Sequence, residues 1–226
     1  MAKNKNNVET RTSIDDLNET LTSVEQHVEN NKKTILWVVL AIIAIAAITL
    51  GFYYLIYQPG KQQAANAISK ADIEMVVGND SIALAQYMEI ANNESGAPAH
   101  RAALESAIAL YRQGKYEEAL NYANKADFSD DVVNAAAKSL AADCYVNLQQ
   151  YDKAVAQYDK AISASNSNSL YTPVFMLKKA NVLTEQGNYK AALETYETIK
   201  AKYPKFEMFY NVSIDQYIAR AKARVE

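Results

Sequence analysis

The sequence predicts an all-α chain: a single N-terminal transmembrane helix, then an α-solenoid of about four helix pairs, then a C-terminal capping helix. Three observations carry this expectation. Residues 35–57 (ILWVVLAIIAIAAITLGFYYLIY) run for 23 positions without a charge. Beyond them one pattern recurs four times, at 78–90 (GNDSIALAQYMEI), 114–126 (GKYEEALNYANKA), 149–161 (QQYDKAVAQYDKA) and 187–199 (GNYKAALETYETI). Six glycines and four prolines in 226 residues are too few for a loop-rich or disordered chain.

The elements follow in order. The tail, residues 1–33, carries a helix-start signal at Ser13, an acid three positions on at Asp16, and an apolar stripe of Ile14, Leu17, Leu21, Val24 and Val28. Two heptads are too few for a stable isolated coiled coil, so the stripe reads either as a marginal helix leading to the membrane or as a short docking helix. His27 beside it has no second metal ligand nearby. The transmembrane helix is placed at 34–57. At about 1.5 Å per residue the apolar run exceeds a hydrocarbon core of about 30 Å. Trp37 sits near one end and Phe52, Tyr53, Tyr54 and Tyr57 near the other, as interfacial aromatics do. The run is longer than a signal core and no small-x-small site follows it, so an uncleaved anchor is expected. Lys3, Lys5, Arg11, Lys32 and Lys33 precede it and Lys61 and Lys70 follow, a bias that favours a cytoplasmic N-terminus. The repeats would then lie on the far side of an inner membrane, in the periplasm of a Gram-negative cell.

In the four copies the small residue is Ala83, Ala119, Ala154 and Ala192. A tyrosine follows four positions later at Tyr87, Tyr158 and Tyr196; the second copy has Ala123 there, with Tyr122 before it. Equivalent positions 80, 116, 151 and 189 are 36, 35 and 38 residues apart. Alanine at a helix crossing lets two helices approach while a large residue opposite fills the hole, and stacked hairpins share one core. The helical domain is expected over 61–226, with repeats at about 62–95, 98–130, 132–166 and 173–205. Outward helices fall at about 62–77, 98–112, 132–148 and 173–185, and returning helices at 81–91, 116–125, 151–163 and 189–202. Residues 163–169 (SASNSNS) form a polar loop. Residues 206–226 read as one capping helix that covers the last repeat with Phe209, Ile214, Tyr217, Ile218 and Ala221.

These copies resemble the tetratricopeptide repeat (TPR) family over about 62–205. The fourth matches best, with Ala180, Leu183, Gly187, Tyr189, Ala192, Tyr196 and Pro204; the first is degenerate, with Asp80 where a Tyr is expected. The layout of short tail, one span and repeat domain also resembles the YfgM family of bacterial inner-membrane proteins, which implies association with the protein-export channel and periplasmic chaperones. The TPR resemblance implies a groove lined by the outward helices, here Ile68, Asp72 and Met75, then Arg101, Leu104, Ile108, Tyr111 and Arg112, then Ser139, Asp143 and Val146, then Leu177, Asn181 and Thr184. That mixed surface suits an extended peptide or a partner helix. The Lys and Asn carboxylate clamp of cytosolic co-chaperone members is missing, because Leu104 and Ile108, or Ile68 and Asp72, stand at its positions.

Composition narrows the function further. A net charge of −3 with scattered Lys and Arg gives no nucleic-acid footprint. Cys144 is the lone cysteine and reads as a buried thiol. Only two histidines occur, His27 and His100, with the span between them. Phosphate loops, metal-ligand clusters and nucleophile elbows are missing, and Asp15 with Asp16 and Asp130 with Asp131 read as helix caps. No enzyme activity, cofactor, metal or small-molecule substrate is expected. The leading expectation is a membrane-anchored module for protein or peptide partners. The alternative is a self-associating scaffold for envelope assembly or division.

Overall fold

The computed structural model describes residues 13–225, and these are helical with no strand among the described residues. They fall into two compact units, Met1–Gly60 and Lys61–Glu226. Lys3, Lys5 and Arg11 lie outside the described residues, as do the side chains of Ile14, Leu17, Leu21, Val24, Val28 and His27.

The first unit is α1 (Ser13–Phe52) followed by a five-residue π-helix (Tyr53–Tyr57). The helical stretch Asn31–Val76 is long and apolar enough to cross a membrane, with a window of mean hydropathy 2.8 that has no residue buried against protein. Thr49, the one hydroxyl side chain between Ile35 and Phe52, donates to the carbonyls of Ile45 and Ala46 within its own helix. That arrangement satisfies a polar group without water. Residues 58–60 (Gln-Pro-Gly), which follow the expected span, do not end the helix, because α2 begins at Gln58. The π-helix immediately before Pro59 supplies the reason. Gln58 N–H bonds to Tyr53 C=O, five residues back, and this widened turn accommodates a following residue with no N–H to give.

In the second unit α2 (Gln58–Val76), α4 (Ala97–Arg112), α6 (Asp131–Asn147) and α8 (Thr172–Glu185) run out, and α3 (Asp80–Asn93), α5 (Tyr116–Ala123), α7 (Tyr151–Ala164) and α9 (Tyr189–Lys202) return. Each hairpin turns through one left-handed residue: Gly78, Gly114, Gln149 and Gly187 have φ of 85°, 76°, 57° and 76°. The same pair of backbone bonds closes every turn, as in Gly114 N–H to Tyr111 C=O and Lys115 N–H to Leu110 C=O. Ala83, Ala119, Ala154 and Ala192 are fully buried at the crossings, and Tyr87, Tyr158 and Tyr196 are buried against them. Asp130 caps α6 by accepting from Val132 and Val133 N–H.

The expected single capping helix is corrected. The cap is two helices, α10 (Phe206–Tyr210) and α11 (Ile214–Val225), broken at Asn211, which adopts a left-handed φ of 51°. Glu207 accepts from Ile214 N–H at 2.6 Å and so starts α11 from seven residues upstream. Because of the break Phe209 points outward, 55 % exposed, and Phe206 takes the buried place beside Ile214 and Ala221. The polar loop is also tied down: Ser165 and Thr172 share a buried hydroxyl bond, and Asn168 Oδ1 accepts from the N–H groups of Leu170 and Tyr171.

Candidate functional site

One register position on the outward helices builds the inner seam of the stack. It holds Asp72, Ile108, Asp143 and Asn181, each fifteen residues before Tyr87, Ala123, Tyr158 and Tyr196 on the returning helix. Tyr87 Oη donates to Asp72 Oδ1 at 2.7 Å, Tyr158 Oη donates to Asp143 Oδ1, and Tyr196 Oη donates to Asn181 Oδ1 at 2.9 Å. The second copy replaces both members at once, with Ile108 opposite Ala123. A buried tyrosine hydroxyl needs an acceptor, and a carboxylate there needs a donor, so the two positions change together.

The same acceptors reach the next hairpin. Arg101 on α4 pairs with Asp72 at 2.8 Å, and Lys178 on α8 pairs with Asp143 at 2.6 Å. Between them, Asn147 on α6 donates to Tyr111 Oη at 3.0 Å. Each outward helix from α2 to α8 is thus tied to its neighbour by a polar contact across the seam. Burial, reinforced by Asp72, raises the Tyr87 hydroxyl well above its ordinary pKa; burial and Asp143 do the same to Tyr158 and, less strongly, to Tyr111. Burial first and Asp143 second push the Cys144 thiol up to about 12, which makes it an inert packing residue at neutral pH.

The expected groove residues divide. Arg101, Arg112 and Asn181 are exposed; Leu104, Ile108, Tyr111, Asp143, Val146 and Thr184 are half-buried along the seam, and Asp72 joins them. Ile68 is corrected: it is 4 % exposed, packed with Ala71, Ala83 and Tyr87, so it belongs to the first hairpin's core. Ser139 is likewise buried. Met75 and Leu177 are half-buried but lean on the cores of the first and fourth copies. Sequence reasoning missed the tyrosine hydroxyls as donors and Lys178 and Asn147 as ties. The fifteen-residue Asp-to-Tyr spacing, present twice, was the signal for the first.

It also missed a concavity of about 610 Å³ at the C-terminal end of the seam. Asn181, Thr184 and Glu185 of α8, Tyr189 and Tyr196 of α9, and Tyr217, Arg220, Ala221, Ala223 and Arg224 of α11 line it. Tyr196 and Tyr217 meet at 5.2 Å between ring centroids, and the Arg224 guanidinium lies 5.6 Å from the Tyr189 ring. Among the described residues no three His, Cys, Asp or Glu side chains gather as metal ligands would.

A tetratricopeptide repeat family model matches residues 104–169 and 139–206, the second to fourth hairpins. The TPR repeat-containing protein MJ0263 of Methanocaldococcus jannaschii is 42 % identical over 84 residues, 36 % of this chain. The chain spans about a quarter of that relative's length (25 %). Among solved structures, MamA superposes with a TM-score of 0.56 over 73 % of this chain and 83 % of its own, at 16 % identity. A putative kinesin light chain from Podosopora anserina with nearly identical TPR-like repeats superposes with a TM-score of 0.53 over 72 % of this chain and 86 % of its own, also at 16 % identity. At such identities the likeness is one of fold.

Proposed function

We propose, for a chain whose residues 104–206 are tetratricopeptide repeats, that it is a membrane-anchored interaction protein whose seam face holds partner polypeptides close to the bilayer. Repeats of this kind form a protein–protein interaction module, and the reading assigns them no catalysis. The observation that carries the anchor is the apolar stretch in Asn31–Val76: none of its window is buried against protein, its Thr49 hydroxyl is satisfied within the helix, and its length suits a bilayer. Lys32 and Lys33 on one flank support a cytoplasmic N-terminus, an inner-membrane location and a periplasmic repeat domain. Tethering raises the effective concentration of the seam face for any chain emerging at the membrane. Assistance to protein export or recruitment of periplasmic chaperones is the role this placement serves best, as the YfgM-like layout implies.

The mixed chemistry of the face supports the choice of polypeptide as ligand. Leu104, Ile108 and Tyr111 offer half-buried apolar area beside exposed Arg101 and Arg112. A second reading, self-association as an envelope scaffold, draws on Met208, Phe209 and Tyr210, exposed next to Leu170, whose carbonyl accepts from Tyr210 Oη. One experiment separates them. A photo-crosslinking residue in place of Arg112, in intact cells, is expected to capture export-channel or chaperone components. Capture of further copies of the same chain would favour the scaffold, and no protein adduct at all would refute the seam face as the binding surface.

A further inference from the structure

One rim of the repeat unit, where the outward helices begin and the returning helices end, carries an apolar patch. Leu170 and Tyr171 stand just before α8, and Met208, Phe209 and Tyr210 end α10, which follows α9. In that order they are 40 %, 43 %, 71 %, 55 % and 39 % exposed. Tyr210 Oη donates to the Leu170 carbonyl at 3.1 Å, so the two segments form one surface. The patch is held from within. The buried Phe206 ring packs on Tyr210 at 4.9 Å between centroids, and the buried Ser165–Thr172 hydroxyl bond fixes the loop that carries Leu170. Exposure of these side chains therefore belongs to the folded arrangement, and docking them costs little further ordering.

Size, charge and place select the occupant. A stable protein interface takes about 20–30 residues from each side, and five exposed apolar side chains fall far short of that. The charge beside them is basic. Lys202 and Lys205 are exposed, precede the patch and form no ion pair among the described residues, while Glu207 is occupied with Ile214 N–H. The rim is also the one at which the chain enters the unit. α2 begins there, and Lys61, the unit's first residue, is the fourth after Tyr57, where the uncharged apolar run ends. Four residues of chain reach at most about 14 Å. A bilayer that holds the apolar run is thus at high effective concentration for this rim. A contact too small to hold a free partner is sufficient as the second of two membrane attachments.

We propose that this patch docks on the surface of the bilayer that anchors the chain. Leu170, Met208 and Phe209 enter the interface, Tyr171 and Tyr210 sit at headgroup level, and Lys202 and Lys205 meet anionic headgroups. Attachment at both ends of the stack, through α2 and through α10, sets the tilt of the repeats over the membrane. The inference rests on the reading of the apolar run as an anchor, and adds a second contact with the same lipid surface.

The test uses the full-length chain in vesicles of phosphatidylcholine with about a quarter phosphatidylglycerol, an anionic fraction that offers the lysines a counter-charge. A photo-crosslinking residue replaces Phe209, or, as control, Val76, which is 86 % exposed but lies on the opposite rim beside the first hairpin turn. Adducts are identified by intact mass. Lipid adducts at 209 are expected in at least about tenfold greater yield than at 76. Met208→Ser combined with Leu170→Ser, which removes exposed apolar area and leaves the reporter in place, is expected to lower the yield at 209 by about threefold or more. Equal lipid yields at 209 and 76, an unchanged yield in the double variant, or adducts at 209 to a second copy of the chain overturn the proposal. An alkaline wash of the same vesicles reports on the anchor separately. A chain that stays with the lipid yet forms no lipid adduct at 209 overturns the docking patch alone, and a chain washed off the lipid overturns the anchor and the patch together.

Discussion

At the scale of single residues, the four turns make a controlled comparison. Each needs one residue in the left-handed region, and three copies use glycine. The third uses Gln149 at φ 57°, where a side chain crowds the backbone and costs about 1 kcal/mol relative to glycine. The turn itself is unchanged, with Gln149 N–H bonded to Val146 C=O and Gln150 N–H to Tyr145 C=O. Gln149→Gly therefore relieves strain without removing a backbone bond, and its gain is reduced by the extra freedom glycine gives the unfolded chain. A net stabilisation of up to about 0.6 kcal/mol is expected, read as a higher denaturation midpoint of the full chain in detergent. A loss of stability would mean that the glutamine side chain makes a contribution larger than its strain.

At the scale of elements, the hairpins are held by apolar crossings and aligned by the tyrosine-to-seam bonds. These bonds differ in charge, which sets their strengths. Tyr158 donates to the carboxylate of Asp143, whereas Tyr196 donates to the amide of Asn181. Hydrogen bonds to charged acceptors contribute about 1.5–3 kcal/mol and neutral ones about 0.5–1.5. Double-mutant cycles with Tyr158→Phe and Asp143→Ala, and with Tyr196→Phe and Asn181→Ala, are expected to give the larger coupling for the first pair. Equal couplings would show that water or Lys178 has already neutralised the difference. Much at this scale could be read from the sequence. The turn residues and buried alanines recur at fixed intervals, and local spacing is enough to place α4 to α9 within a residue or two. What could not be read was non-local. The cap splits because Glu207 reaches Ile214 N–H while Asn211 turns left-handed, and the apolar pattern of 206–221 runs through that break unchanged. Ile68 looked like a groove residue because it shares a helix face with Asp72, but the returning helix α3 covers it with Ala83 and Tyr87. The pocket at Arg220 forms between three helices, and no periodicity within any one of them announces it.

At the scale of the whole chain, the groups with raised pKa values are spread along the stack: Tyr87 in the first hairpin, Tyr111 in the second, Cys144 and Tyr158 in the third and Tyr196 in the fourth. All are shifted chiefly by burial, and in each the neutral, protonated form is the one the fold accommodates. The sign of the linkage follows. Below the ordinary values, about 8.5 for a thiol and 10 for a phenol, folded and unfolded chains hold these protons equally and stability does not depend on them. Above those values the unfolded chain releases protons that the folded chain keeps, so stability falls by about 1.4 kcal/mol per pH unit for each group until its folded value is reached. Cys144, with a folded value of about 12, begins the decline, and the tyrosines steepen it beyond pH 10. Because stacked repeats depend on their nearest neighbours, a loss distributed over every hairpin weakens the array as a whole and leaves no hairpin as an intact refuge. The melting temperature of the full chain in detergent is expected to hold to about pH 8.5, fall gently to about pH 10, and fall steeply above it. Cys144→Ala is expected to remove the gentle first phase and leave the steep one. A melting temperature at pH 10.5 equal to that at pH 8 would mean that the tyrosine hydroxyls are not held in the buried seam that ties one hairpin to the next.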